Sequence, residues 1–277
     1  MNLKEILIAS GFEFKKKFGQ NFLTDTNLLN SIVSDAGITN EDEVLEIGVG
    51  AGALTQSLCK IAKKVIGIEI DKSLKEIHDI TLKDCDNVNI IFNDFMKMSS
   101  MEINNMFSGS FKVVANLPYY ITTPIIFKLI EEDFNVSSLT LMVQKEVAER
   151  LVSKSGTKDY GAITAQINSI ANVTITRQVN RKMFSPMPNV DSSIIRIDIN
   201  RNKFDIDNYK LHKKLIECAF SMRRKTLSNC LKAYFNLNQK QIEELLLSCE
   251  LDLQIRGEKL SEQDLVKLSN KLNKMLI

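Results

Sequence analysis

Residues 44–52 read VLEIGVGAG, in which a short apolar run leads directly into a turn with three glycines. The run is typical of a buried β-strand, and the glycines let the backbone turn tightly into a helix and approach a ligand closely. Four further strand-like runs alternate with helical stretches along the first half of the chain: 65–69, 88–92, 111–115 and 139–143. This alternation predicts an α/β fold with a parallel sheet covered by helices.

Two later runs, 173–179 and 192–199, follow each other with no clear long helix between them. We expect them to pair antiparallel at the edge of the sheet. Together with the five earlier runs, they predict a mostly parallel sheet of seven strands.

The pattern changes after about residue 200, where Leu and Ile recur at three- and four-residue spacing. This periodicity predicts helices over 208–235, 238–249 and 261–275. We therefore expect one domain over residues 1–202 and a small, all-helical second domain over 203–277.

Composition restricts the classes of function. The chain has 277 residues, 44% hydrophobic and 25% charged, with a formal net charge of only +2, so overall charge does not by itself predict nucleic-acid binding. Five cysteines without a C-x-x-C pair and two histidines suggest neither a disulfide framework nor a metal site, and we expect reduced thiols. No segment resembles a signal peptide or reaches the ~18 apolar residues of a membrane span. We expect a soluble, cytoplasmic protein.

The glycine-rich turn favours S-adenosylmethionine as the cofactor. Its glycines fall as G-x-G-x-G, whereas the dinucleotide fingerprint of NAD-dependent oxidoreductases is G-x-G-x-x-G. Glu46, just before the turn, adds negative charge that disfavours a pyrophosphate and suits the sulfonium and ammonium of S-adenosylmethionine. Glu69 ends the next strand, about 20 residues past the turn, where a carboxylate can accept hydrogen bonds from both ribose hydroxyls.

A third strand end adds weaker evidence for the same ligand. Asn93-Asp94-Phe95 follows the run at 88–92. Asp94 is placed to bond the adenine amine of the cofactor, and Phe95 to stack on its ring. Ligands of open α/β sheets lie across the carboxyl ends of the strands, so the register of these three strand ends supports one binding site.

Asn116-Leu117-Pro118-Tyr119 follows the fourth strand directly and indicates the reaction. The exocyclic amine of adenine is a poor nucleophile, because its lone pair is delocalised into the ring. The side-chain oxygen of Asn116 and a backbone carbonyl of the loop are suitable hydrogen-bond acceptors for that amine, and positioning supplies much of the rate gain. Tyr119 offers a face on which a base splayed out of its helix can stack.

The segment 184–190 reads FSPMPNV, and its two prolines make the backbone stiff and extended. It is placed to present Phe184 as the opposite stacking face for the target base.

These motifs together resemble the ribosomal RNA adenine dimethyltransferases, most closely the KsgA/RsmA type that acts on small-subunit (16S) rRNA. The resemblance covers nearly the whole chain. The matching segments are 17–23, 44–55, 68–71, 116–129, 143–150, 184–192 and 220–227. One mild departure is Val49, where the family often has Pro.

The resemblance implies a class I, Rossmann-like S-adenosylmethionine-dependent methyltransferase fold with a helical C-terminal domain. It implies an enzyme that transfers two methyl groups to each of two adjacent adenosines near the 3′ end of small-subunit rRNA, during ribosome biogenesis. The substrate it suggests is an assembling ribosomal particle, and we expect a monomeric enzyme without a metal.

Residue roles also follow from the resemblance. The target-base residues it implies are Asn116, Leu117, Pro118 and Tyr119, with Phe184 as the stacking partner. The cofactor contacts it implies are Asn21, Leu23, Gly48, Glu69, Asp94 and Asn116.

Two basic clusters are candidates for RNA phosphates. Lys15-Lys16-Lys17 precede the Asn21 segment, and Arg223-Arg224-Lys225 fall on the first predicted C-terminal helix, after Lys213 and Lys214.

Two rival functions stay open at this point. Large-subunit rRNA adenine methyltransferases of the macrolide-resistance type share the N-terminal motifs, although 121–124 (ITTP) and 223–227 (RRKTL) favour the small-subunit type. A non-catalytic ribosome assembly factor on the same fold is the second. The intact residues that argue against lost chemistry are Glu46, Gly48, Glu69 and Asn116.

Overall fold

The structure is a computed structural model, and it describes residues 5–6, 22–23, 25–222 and 224–276. Nine strands are found in these residues: β1 (Phe22–Leu23), β2 (Glu43–Ile47), β3 (Lys64–Glu69), β4 (Val88–Phe92), β5 (Phe111–Asn116), β6 (Val136–Gln144), β7 (Ala171–Val179), β8 (Phe184–Ser185) and β9 (Ser192–Ile199).

Residues 5–6 are helical, and the α-helices with described bounds are α1 (Thr26–Asp35), α2 (Ala53–Cys59), α3 (Lys75–Thr81), α4 (Ser100–Asn104), α5 (Thr122–Glu131), α6 (Lys145–Leu151), α7 (Ala162–Asn168), α8 (Tyr209–Ser221), α9 (Leu227–Phe235), α10 (Gln239–Ser248) and α11 (Glu262–Leu276).

The chain divides into two compact units. The first comprises Met1–Ala148 and Thr174–Ile199, and the second comprises Glu149–Val173 and Asn200–Ile277. The break after Ile199 lies close to residue 202, where the periodicity changes. The grouping of Glu149–Val173 with the C-terminal helices has no counterpart in the sequence pattern, and the domain division 1–202 and 203–277 stays a prediction.

A seven-stranded sheet with the strand order β4-β3-β2-β5-β6-β9-β7 forms the centre of the fold. The pairs among β4, β3, β2, β5 and β6 are parallel, and β9 pairs antiparallel with β6. This confirms the predicted mostly parallel sheet. A separate two-stranded sheet joins β1 and β8 antiparallel, with Leu23 opposite Phe184.

The register of the parallel strands brings their carboxyl ends to one edge of the sheet. Ile47 lies opposite Ile68, Glu69 opposite Phe92, and Asn116 opposite Met142. The residues that follow β2, β3, β4 and β5 therefore share this edge, as the sequence predicts for a ligand site.

Apolar helix faces hold this arrangement in place. Leu29 and Ile32 of α1, with Leu58 of α2, are buried in one cluster with Val44 and Val65 of the sheet. Each side chain of this size stabilises the fold by roughly 1.5–3 kcal/mol when fully buried. All five residues of β2 are buried, as expected for a strand covered on both faces.

The second unit is helical, but its first predicted helix is divided. The sequence predicts one helix over 208–235, whereas α8 ends at Ser221 and α9 begins at Leu227. Thr226 has the extended backbone of an N-cap residue, with φ −69° and ψ 157°, which starts a new helix. The prediction of helical Arg224 and Lys225 is therefore wrong: both are exposed between the helices, and Arg223 lies outside the described residues.

One expectation about the cysteines is also corrected. Cys59, at the end of α2, forms a disulfide with Cys85, in the loop before β4. Their separation of 26 residues gave no sequence signal, because folding brings them together. The Asn87 side chain fixes this contact by donating hydrogen bonds to the carbonyls of Cys59 (3.0 Å) and Ala62 (2.8 Å). The other three cysteines are free and buried: Cys218, Cys230 and Cys249.

Candidate active site

The glycine turn after β2 adopts a backbone that ordinary residues rarely take. Gly48, Gly50 and Gly52 have φ values of 77°, 57° and 86°, all in the left-handed region. A Cβ added at Gly48 would meet no atom within 4 Å. Glycine is therefore needed there for the backbone conformation, and the space in front of the turn is open.

Gly50 is held from both sides. Its N–H donates to Glu69 Oε2 at 2.8 Å, and its carbonyl oxygen lies 2.6 Å from Nε2 of His78. Glu69 Oε1 accepts from the N–H of Asp71 at 2.8 Å. Burial raises the pKa of Glu69, and the charge of Asp71 adds to this shift.

Glu46 is a fully buried carboxyl group beside this turn. Neither of its oxygens has a hydrogen-bond partner among the described residues. Burial raises its pKa to about 8, the charge of Glu69 adds to the shift, and the nearby Thr55 hydroxyl offsets part of it. A buried carboxyl group without a partner is costly in the free protein, so a ligand with a positive charge would gain by meeting it.

A cavity of about 390 Å³ opens at this edge of the sheet. Glu46 lines it, and so do all the described residues that the sequence assigned to the site: Leu23, Gly48, Glu69, Asp94, Asn116, Leu117, Pro118, Tyr119 and Phe184. Asn21 and Lys15–Lys17 lie outside the described residues. The structure thus brings the strand ends and the two aromatic residues together, while their individual roles stay predictions.

Asp94 has a structural contact as well as its place in the cavity. It accepts a hydrogen bond from the N–H of Met96 at 3.0 Å and so begins a short 3-10 helix, Phe95–Lys97. Phe95 is buried and stacked against Phe134, with ring centroids 6.1 Å apart. Phe95 therefore belongs to the core, although its surface also reaches the cavity.

The loop after β5 is a tight turn. The N–H of Ile121 donates to the carbonyl of Pro118 at 3.1 Å, and the hydroxyl of Thr122 donates to the same oxygen at 3.2 Å. Tyr119 occupies the first central position of this turn. Its hydroxyl lies 2.8 Å from Ser192 Oγ, and burial raises its pKa, so the phenol stays neutral.

This arrangement identifies the family when it is combined with sequence similarity. Residues 11–274 match the family model described as ribosomal RNA adenine dimethylase. The chain belongs to this family. The dimethylase is 42% identical to "Ribosomal RNA small subunit methyltransferase A" of Clostridioides difficile. The alignment covers 98% of this chain and 94% of that protein. The dimethylase is 44% identical over 97% of its length to the protein of the same name in Bacillus cytotoxicus, also covering 94%.

Solved structures support the same assignment. The dimethylase matches a dimethyladenosine transferase from Plasmodium falciparum with a TM-score of 0.77 and 30% identity, covering 92% of this chain and 98% of the other. It also matches the 23S rRNA methyltransferase ErmE with a TM-score of 0.71, covering 91% and 100%. At 23% identity, this second likeness shows the fold alone.

Two further properties of the dimethylase concern the described residues only. No three histidine, cysteine or acidic side chains among them are grouped as a metal site would require. None of their helices has the length and apolarity to cross a membrane.

Sequence reasoning missed two residues that contact the site from behind. His78 and Ser192 touch Gly50 and Tyr119, but each comes from an element distant in sequence. A single histidine in a helix or a serine at a strand start carries no pattern that could reveal such a contact.

Proposed function

We propose that this dimethylase transfers two methyl groups from S-adenosylmethionine to the exocyclic amine of each of two adjacent adenosines near the 3′ end of small-subunit rRNA. The observation that carries the proposal is that residues of the Glu46–Gly50 turn and of the Asn116–Tyr119 loop line the same cavity. The named relatives, which match almost end to end, support the small subunit rather than the large one.

The residues around the turn fit S-adenosylmethionine. The Glu46 carboxyl group, whose pKa of about 8 keeps it largely protonated near neutral pH in the free protein, can release its proton and supply a counter-charge when a cationic ligand enters the cavity. Both oxygens of Glu69 accept backbone hydrogen bonds, and the residue lines the cavity, where its carboxyl group can also accept from the ribose hydroxyls. When bound, S-adenosylmethionine supplies an electrophilic methyl group on a positively charged sulfur.

Asn116 and the loop act on the other reactant. The carbonyl of Pro118 is already engaged by Ile121 and Thr122. We therefore assign the backbone acceptor for the adenine amine to the Leu117 carbonyl, which acts together with the Asn116 side chain. Accepting both amine protons holds the nitrogen lone pair toward the methyl donor, so positioning replaces a strong base.

The aromatic residues position the target base. Phe184 is buried in β8, opposite Leu23 of β1, and Tyr119 is partly exposed on the turn. Both line the cavity, so an adenine splayed out of the RNA is held between planar side chains.

We also propose the substrate particle of this enzyme and its place in the cell. The substrate is an assembling small-subunit particle, the enzyme acts as a monomer in the cytoplasm, and no metal takes part. The RNA contacts include the exposed residues Arg224 and Lys225 in the second unit.

Primer-extension mapping tests this function in cells. A strain that lacks its own small-subunit dimethylase is complemented with this gene, and both rRNAs are mapped. Restored modification at the two adjacent adenosines supports the proposal, whereas modification confined to large-subunit rRNA contradicts it.

A further inference from the structure

A direct hydrogen bond joins the loop after β5 to the start of β9. The hydroxyl oxygens of Tyr119 and Ser192 are 2.8 Å apart, and Ser192 is completely buried. We propose that Ser192 is a positioning residue that fixes the Tyr119 ring as a stacking face for the target base. This inference rests on the proposed function, because it concerns the same base.

Ser192 stands on a fixed part of the backbone. It is the first residue of β9 and pairs with Gln144 of β6. The preceding residue, Asp191, is held twice: its carbonyl accepts from the N–H of Lys145 at 3.0 Å, and its Oδ1 accepts from the N–H of Arg181 at 2.9 Å. The Ser192 hydroxyl is thus a fixed point rather than a mobile partner.

The orientation of the Tyr119 ring requires a contact beyond the backbone of its own turn. The turn closed by Ile121 and Pro118 fixes its backbone, but two side-chain torsions still orient the ring. The bond to Ser192 holds the far end of the ring. Because the Tyr119 ring is held at both ends, it already has little rotational freedom before the base stacks on it. Less side-chain entropy is therefore lost on stacking.

Ser192 acts through Tyr119 rather than by touching the ligand. Tyr119 is among the described residues that line the cavity, whereas Ser192 is not. The neighbouring Ser193 is equally buried, and its Oγ has no hydrogen-bond partner among the described residues. Ser193 therefore offers a matched control: the same residue type, in the same strand, without the contact.

The test is a double-mutant cycle with undermodified small subunits and labelled S-adenosylmethionine. Ser192→Ala and Tyr119→Phe should each lower kcat about fivefold, the effect of one net hydrogen bond, with the KM for the particle unchanged. The kcat of the double variant should be no lower than that of either single variant. Ser193→Ala should match the wild type.

Two results would overturn the inference. A wild-type kcat in the Tyr119→Phe enzyme would be the first. Because Tyr119 is only half-buried, this variant remains informative even if Ser192→Ala folds poorly. The second is a double variant whose loss in kcat equals the product of the two single losses, because this would show that the two hydroxyls act independently. If the wild-type enzyme itself fails to methylate the small subunit, the proposed function fails first, and this inference fails with it.

Discussion

His78 Nε2 lies 2.6 Å from the carbonyl oxygen of Gly50. A carbonyl oxygen only accepts, so Nε2 carries the proton. Burial lowers the pKa of His78, which favours this neutral ring, and Nδ1 has no hydrogen-bond partner among the described residues. The ring is stacked on Phe92, with centroids 5.6 Å apart. His78 therefore supports the glycine turn from behind with a single hydrogen bond.

Replacing His78 should weaken cofactor binding. His78→Phe keeps a ring against Phe92 but leaves the Gly50 carbonyl without its donor. A lost buried hydrogen bond costs about 1 kcal/mol, so the Kd for S-adenosylmethionine measured by calorimetry should rise about fivefold. His212→Gln, in the buried Ser169–His212–Ser269 contact of the second unit, is the control and should leave this Kd unchanged. An unaltered Kd in His78→Phe would show that the turn keeps its shape without the bond.

The raised pKa of the buried Glu46 carboxyl group should make the stability of the free protein depend on pH. Its folded-state pKa is about 8, against 4.5 for an ordinary glutamate, so the folded protein holds a proton there that the unfolded chain releases. The free energy of unfolding should therefore fall as pH rises from about 4.5 to about 8, and stay level above that.

Glu46→Gln should flatten this slope, as measured by denaturant unfolding of the free protein across the same window. Glu69 contributes in the same direction, because burial raises its pKa too, so part of the slope should remain. Identical slopes for variant and wild type would contradict the buried, unpartnered state of Glu46.

Asn116→Ala tests the assignment of the amine acceptor. Removing one preorganised hydrogen-bond partner of the reacting group should cut methyl transfer on the order of a hundredfold. Binding of S-adenosylmethionine should change little by comparison, because Glu46 and Glu69 remain. Near-normal turnover on small subunits would refute the role given to Asn116.

Gly257 should be irreplaceable in the second unit. A Cβ at this position would overlap the carbonyl oxygen of Ala219, a backbone atom of α8 that cannot move aside. Gly257→Ala should lower the free energy of unfolding by about 3 kcal/mol. Gly109→Ala is the control, because a Cβ there meets no atom within 4 Å. Equal stabilities of the two variants would contradict this close approach.

The parts of the site that sequence could predict are those set by local order along the chain. Gly48, Glu69, Asp94 and Asn116 each lie at or just after the carboxyl end of a strand, and the carboxyl ends of parallel strands meet at one edge. Contacts between distant segments escaped prediction, such as Ser192 with Tyr119 or Cys59 with Cys85. Such contacts depend on how elements pack, which a single-chain pattern does not record. The break at Thr226 was missed because residues 217–226 contain no proline or glycine that would mark the end of a helix.

Methylation in vitro tests both the activity of the enzyme and its choice of ribosomal subunit. Small subunits and large subunits from a strain without the modification are incubated separately with the enzyme and labelled S-adenosylmethionine, and the labelled bases are identified. We expect dimethylated adenine at two adjacent positions near the 3′ end of small-subunit rRNA and no label in the large subunit. Label in large-subunit rRNA alone, or no label in either particle, would contradict it.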